Sequence, residues 1–178
     1  MKRYIALLRG INVGGKNKVS MSELKMLFEA IGFEDVITYI NSGNVVFSSD
    51  IKGEEKMQKT IKKSLREKFG HIIPVAIISP LKLKEALDSV PTWWDGDEQS
   101  KHNAIFAIPP STAKEVLEQI CDIKQEYEKM YCCGDIIFWS APTKTFSKTR
   151  LTRFVSGNPC DNLTIRNANT TKKLLQLV

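Results

Sequence analysis

Histidine is scarce in this chain, and its cysteines are not paired. His71 and His102 are its two histidines, and neither has a second ligand at helical or loop spacing. The four cysteines (Cys121, Cys132, Cys133 and Cys160) form no C-x-x-C pair, and two of them are adjacent. Structural zinc and a disulfide framework are therefore not expected, and reduced thiols in a cytoplasmic setting are. Long apolar runs are also missing. None approaches the roughly 20 residues that cross a bilayer. Met1-Lys2-Arg3-Tyr4-Ile5 leads almost directly into a strand, without the h-region and small-residue site of a signal peptide. No convincing Ser/His/Asp or Cys/His set is visible, and paired carboxylates occur only in surface-like runs such as Asp95-Asp97-Glu98.

What is present is a globular composition: 178 residues, 42% hydrophobic and 26% charged. That length suits one domain or two small subdomains. The net charge of +6 is uneven: residues 1–50 carry +1, 51–110 carry +2, 111–140 carry −3 and 141–178 carry +6. A basic C-terminal segment suits a polyanionic or phosphorylated partner, with solvated lysines on a helix as the plain alternative.

Tyr4 to Leu8 is continuously apolar, which fits a central strand covered on both faces. Ser20-Met21-Ser22-Glu23 is a capping-box pattern, followed by Leu24, Leu27, Phe28 and Ile31 at helical spacing and by Gly32 as a stop. Residues 35–40 and 45–48 read as strands joined at Asn41-Ser42-Gly43-Asn44, where Gly43 suits a tight turn. A charged helix from about 53 to 69 and an apolar strand over 74–79 complete a β-α-β-β-α-β order, the ferredoxin-like one. In such a sheet the loop after the first strand and the turn after the second lie at the same end. Gly10–Asn17 and Asn41–Asn44 are thus expected as neighbours.

A short helix is expected over 80–90. The loop over 91–102 carries Trp93 and Trp94, whose rings suit either stacking on a base or folding back onto the core. Further on, the expectations are a strand over 103–108, a helix capped by Ser111 and running to about 123, and a hairpin across Gly134-Asp135. A basic segment helical from Lys148, an extended 164–167 and a terminal helix over 170–177 follow. The second half reads as an incomplete copy of the first. The fold class is accordingly α+β, two small ferredoxin-like subdomains packed together, with divisions at 1–80 and 81–178.

The stretch from Leu8 to Lys18 is glycine-rich and basic. Gly10 to Lys16 matches G-x-x-x-x-G-K literally, but Asn17 stands where a magnesium-ligating Ser or Thr belongs, and the helix cap comes only at Ser20. No apolar strand ends in the Asp of a nucleotide hydrolase. A true P-loop is set aside, while a loop of backbone N–H groups with Arg9 and Lys16 still suits phosphate or carboxylate. The alternative is a glycine-shaped packing turn. An RNA-recognition reading fails because Asn44-Val45-Val46-Phe47 offers one ring where that motif needs two or more. Ser22-x-x-Lys25 reads as a helix start. At Ser147-Lys148, an anion-binding lysine is a better reading than a nucleophile–base pair.

The segments Tyr4–Gly15, Met21 and Thr38–Phe47 closely resemble a bacterial family known only as a domain of unknown function. The resemblance runs over essentially the full chain, with looser matches at Ser147-Lys148 and Arg166-Asn167. It implies a small cytoplasmic protein of two α+β subdomains and no established activity. The family pattern carries Trp after Arg-Asn, whereas Ala168 stands here, so an aromatic contact at that place is not implied.

The expected function is binding of a phosphorylated small molecule or nucleic acid. Arg9, Asn12, Gly14, Gly15 and Lys16 would form the site, with Asn41, Ser42 and Asn44 beside it and Lys148, Arg166 and Asn167 adding to it from the second half. The alternatives are a transferase or hydrolase of a phosphorylated metabolite in the same pocket, and a structural or interaction module. No cofactor, reaction or oligomeric state is legible, no metal is expected, and no membrane partner is expected.

Overall fold

The apolar run of the first strand is buried throughout. The computed structural model describes residues 1–14, 17–157 and 161–178, so Gly15, Lys16 and Cys160 lie outside the described residues. Strand β1 (Lys2–Leu8) is buried from Tyr4 to Leu8. Helix α1 (Met21–Ala30) starts at Ser20, whose Oγ accepts from the Glu23 N–H at 3.5 Å, and it buries Leu24 and Phe28. Strands β2 (Glu34–Tyr39) and β3 (Asn44–Ser49) follow, then α2 (Glu54–Phe69) and β4 (Val75–Ile78). Gly70, at φ 77°, takes the left-handed conformation that ends α2.

The sheet runs β2-β3-β1-β4 with every neighbouring pair antiparallel. β2 therefore runs parallel to β1 with β3 between them. One face of the sheet meets α1 and α2 through Tyr4, Ala6, Leu8, Phe28, Phe47, Ile61 and Leu65. Phe28, Phe33 and Phe47 pack ring to ring, the closest centroids 4.5 Å apart. Each such buried ring contributes about 1.5–3 kcal/mol relative to exposure.

Helix α3 (Pro80–Asp88) leads to β5 (Ser100–Ala107), α4 (Ala113–Ile120), β6 (Lys129–Cys133) and β7 (Ile136–Pro142). A 3-10 turn over Thr143–Lys148 then precedes α5 (Arg150–Gly157), β8 (Leu163–Asn167) and α6 (Ala168–Gln176). The order β6-β7-β5-β8 repeats that of the first sheet, again all antiparallel. The second half is therefore a complete copy rather than an incomplete one, because residues 163–167 pair along β5. The copies agree in detail. Leu8 N–H donates to Gly43 C=O and Arg9 N–H to Pro74 C=O, both at 2.8 Å. Their counterparts are Ala107 N–H to Asp135 C=O at 3.4 Å and Ile108 N–H to Asn162 C=O at 2.8 Å.

Several local expectations shift. β5 begins at Ser100 instead of 103, since Ser100, Lys101 and His102 continue the pairing with β7. α4 is capped by Thr112, not Ser111. A capping box needs Glu three residues on, and Glu115 serves Thr112 whereas Ser111 faces Lys114. The same helix stops at Ile120 because Cys121 and Asp122 both have positive φ. The basic segment breaks at Thr149, whose Oγ1 accepts from Thr152 N–H at 3.2 Å and starts α5. The buried Glu128 carboxylate reaches that same helix start, accepting from Arg150 N–H at 2.5 Å and Leu151 N–H at 3.3 Å, and from Trp139 Nε1–H at 2.8 Å.

The chain divides into two compact units, Met1–Leu83 with Lys173–Val178, and Lys84–Lys172. The division falls at 83/84 rather than 80/81, and the last residues return to the first unit. Arg3 fixes them there by donating from a guanidinium nitrogen to Leu177 C=O at 3.0 Å. Among the described residues no helix is long and apolar enough to cross a membrane.

Candidate functional site

The loop after β1 is held in shape by its own amides. Gly10, Asn12, Gly14 and Asn17 all have positive φ, from 49° to 70°. Asn12 N–H donates to Asn17 C=O at 3.1 Å, and Asn17 Nδ2 donates to Gly10 C=O at 3.1 Å. Asn12 Oδ1 accepts from Val19 N–H at 2.9 Å, while Asn12 Nδ2 donates to Val19 C=O at 2.9 Å and to Asn41 C=O at 3.0 Å. Ile11 points inward at 2% exposure and Val13 outward at 67%. Gly43, at φ 74°, leaves room for this contact. A Cβ there would lie 2.7 Å from Ile11 Cδ1 and 2.8 Å from Leu8 Cβ.

The structure thus brings the loop and the Asn41–Asn44 turn together. Two of the residues expected to hold a ligand are otherwise engaged. Asn12 spends both amide hydrogens on the loop and the turn. Asn44 is buried and donates to Tyr39 C=O at 3.0 Å and Ser42 Oγ at 2.9 Å, which shapes the hairpin. Gly10, Val13, Gly14, Asn17 and Lys18 are exposed along the outer rim, and Arg9 is half-buried.

In the second unit, Lys148 is exposed with its Nζ 5.5 Å from the centre of the Tyr127 ring. Arg166 is buried and donates to Thr164 Oγ1 and Ile165 C=O, both at 2.8 Å, and burial lowers its pKa to about 10. Asn167 caps α6, its Oδ1 accepting from Thr170 N–H at 2.8 Å. Trp94 folds back at 5% exposure, donating Nε1–H to Asn103 C=O at 2.9 Å and meeting Phe138 edge-on. Among the described residues no group of three or more His, Cys, Asp or Glu is arranged to hold a metal, and Cys121, Cys132 and Cys133 are free thiols.

One cluster escapes sequence reasoning. His102 and Ser140 are direct cross-strand partners on β5 and β7. His102 Nδ1 lies 2.6 Å from Ser140 Oγ, and its Nε2 lies 2.8 Å from Asp97 C=O and 3.9 Å from the Asp97 carboxylate. Asp97 Oδ1 accepts from Gln99 N–H at 2.9 Å and Ser100 N–H at 2.7 Å. Desolvation works to raise the Asp97 pKa, but the hydrogen bonds from Ser100 and Gln99, aided by His102, hold it below the ordinary carboxylate value. The available signal was a hydroxyl within an apolar strand, Ile136-Ile137-Phe138-Trp139-Ser140. The partner strand's register, a tertiary fact, was needed to pair it with His102.

Residues 1–138 match the model of a family described as a protein of unknown function, DUF1697. Among solved structures, the conserved bacterial protein SP0830 from Streptococcus pneumoniae is similar, with 31% sequence identity and a TM-score of 0.87, covering 98% of this chain and 97% of that one. None of the curated proteins matches the chain. A family match over most of the chain's length, together with a full-length likeness to SP0830, makes this protein a member of the DUF1697 family.

Proposed function

We propose that the protein binds a phosphorylated small molecule, or the phosphates of a nucleic acid, through the β1–α1 loop. The observation that carries this reading is a rim of left-handed residues at Gly10, Asn12, Gly14 and Asn17, fastened to the neighbouring turn by the Asn12–Asn41 hydrogen bond. Left-handed residues interspersed in a loop turn successive N–H groups toward one side and make a concavity for an anion. A loop already fixed by internal hydrogen bonds loses little entropy when a ligand arrives. Arg9, Lys16 and Lys18 give this stretch positive charge, and the whole chain carries +6. Arg166 and Asn167 contribute less to this reading than the sequence alone suggests, since one is buried and the other caps a helix.

The test is a thermal-shift screen of wild type, Lys16→Ala and Gly14→Val against nucleotides, sugar phosphates and short oligonucleotides. A ligand at 100 times its Kd stabilises by about 2.7 kcal/mol, which raises Tm by several degrees. The reading requires a shift in wild type that both variants lose. A shift retained in both variants moves the site elsewhere, and no shift with any class of ligand ends the proposal.

A further inference from the structure

We propose that Ser140 is a nucleophile activated by His102, in a second site that takes a short acyl ester or thioester. This site is independent of the anion-binding loop and lies wholly within the unit Lys84–Lys172.

The hydrogen-bond geometry fixes the histidine tautomer. Asp97 C=O only accepts, so His102 Nε2 carries the proton that it receives at 2.8 Å. Neutral imidazole then has a lone pair on Nδ1, and at 2.6 Å that lone pair takes the Ser140 hydroxyl proton. A base within about 2.6–3.2 Å of the hydroxyl it deprotonates, itself oriented by a third group, is the arrangement that serine nucleophiles use. The Asp97 carboxylate, 3.9 Å from Nε2, faces the positive charge that His102 gains when it accepts the proton.

Ser140 is buried but not sealed. It lines a cavity of about 110 Å³ together with Trp93, Tyr127 and Lys129. That space admits several waters, and so a short acyl group. Lys129 sits directly opposite Ser140 in the β6–β7 register, and the cavity wall carries Asp97, Glu126 and Glu128 beside it. His102 lines an adjoining cavity of about 510 Å³, and Asp97 and Ser100 line both.

The steps balance with water as the only co-reactant. Ser140 Oγ bonds to the acyl carbon as its proton passes to His102 Nδ1. The bond to the leaving alkoxide or thiolate breaks, and that group departs with the proton from Nδ1. Water then attacks the acyl-serine and gives a proton to Nδ1. The carbon–Oγ bond breaks, Oγ recovers the proton, and a carboxylic acid leaves.

The experiment treats the full chain with methanesulfonyl fluoride, whose small sulfonyl group forms an Oγ–S bond as fluoride departs, and locates the adduct by peptide mass. Wild type should be modified at Ser140. Ser140→Ala should show no adduct. His102→Asn keeps an amide near the Nδ1 position without a base, and should slow labelling at least 100-fold in a variant that still folds, its melt lowered by the lost Nε2 bond to Asp97 C=O. No adduct, an adduct at another residue, or equal rates in wild type and His102→Asn would each overturn the proposal. Should His102→Asn fail to fold, Ser140→Cys replaces it. Its new thiol should alkylate with iodoacetamide at least 10-fold faster than the native cysteines, and an equal or slower rate overturns the assignment.

Discussion

Asn12 Nδ2 donates to Asn41 C=O across 3.0 Å, joining the loop after β1 to the turn after β2. A single side chain thereby holds two segments that the sheet order only brings to the same end. The same amide group exchanges hydrogen bonds with both N–H and C=O of Val19, so it also sets where the loop returns toward α1.

Asn12→Ala removes three hydrogen bonds and a residue suited to positive φ. Stability should fall by about 1–3 kcal/mol, and any ligand bound at the loop should be lost with it. A chemical melt followed by ligand titration checks both effects. A variant that melts like wild type would mean the loop is held by other contacts.

Gly43→Ala should be worse than Gly10→Ala, although both have φ near 70°. At Gly43 the new Cβ meets Ile11 and Leu8 below 3 Å, whereas at Gly10 nothing among the described residues lies within 4 Å. Left-handed strain alone costs about 1–2 kcal/mol, and overpacking adds about 1–3 more at Gly43. Paired denaturation curves measure the difference.

Glu128→Gln puts an amide where three donors converge on a buried carboxylate. One NH₂ must then face an N–H group, and α5 loses the negative charge at its start. A loss of about 2–4 kcal/mol is expected, with a change in Trp139 fluorescence because the group that accepts its indole N–H loses its charge. Comparing the melting curve and the emission maximum with wild type tests this.

Asp97 links stability to acid pH. Its folded pKa lies below the unfolded value, so its contribution is present above the unfolded pKa and is lost as pH falls through the folded one. The Tm difference between wild type and Asp97→Asn should therefore be full at neutral pH and vanish in strong acid. A difference that does not change with pH would refute the linkage.

Elements whose signals are local were legible in the sequence. Ser20 with Glu23 marked α1, and the apolar run Tyr4–Leu8 marked a strand covered on both faces. The meeting of loop and turn followed from element order alone. β8 escaped as a sheet strand because Thr164, Arg166 and Asn167 make it polar, and its partner β5 lies far back in the chain. The roles of Asn12, Asn44 and Asn167 were legible only as polarity. Whether an amide faces a ligand or a neighbouring carbonyl depends on backbone angles that residue type does not specify. His102 and Ser140 met through strand register, which no spacing rule encodes.

The doubled fold also bears on stoichiometry. Gly10 follows Arg9 in the first half, and Pro109 follows Ile108, the matching residue of the second. Pro109 and Pro110 have no N–H to offer. An anion that uses amides after the first strand therefore finds them in one half and not in the other. A titration should saturate at one ligand per polypeptide, although the scaffold is present twice.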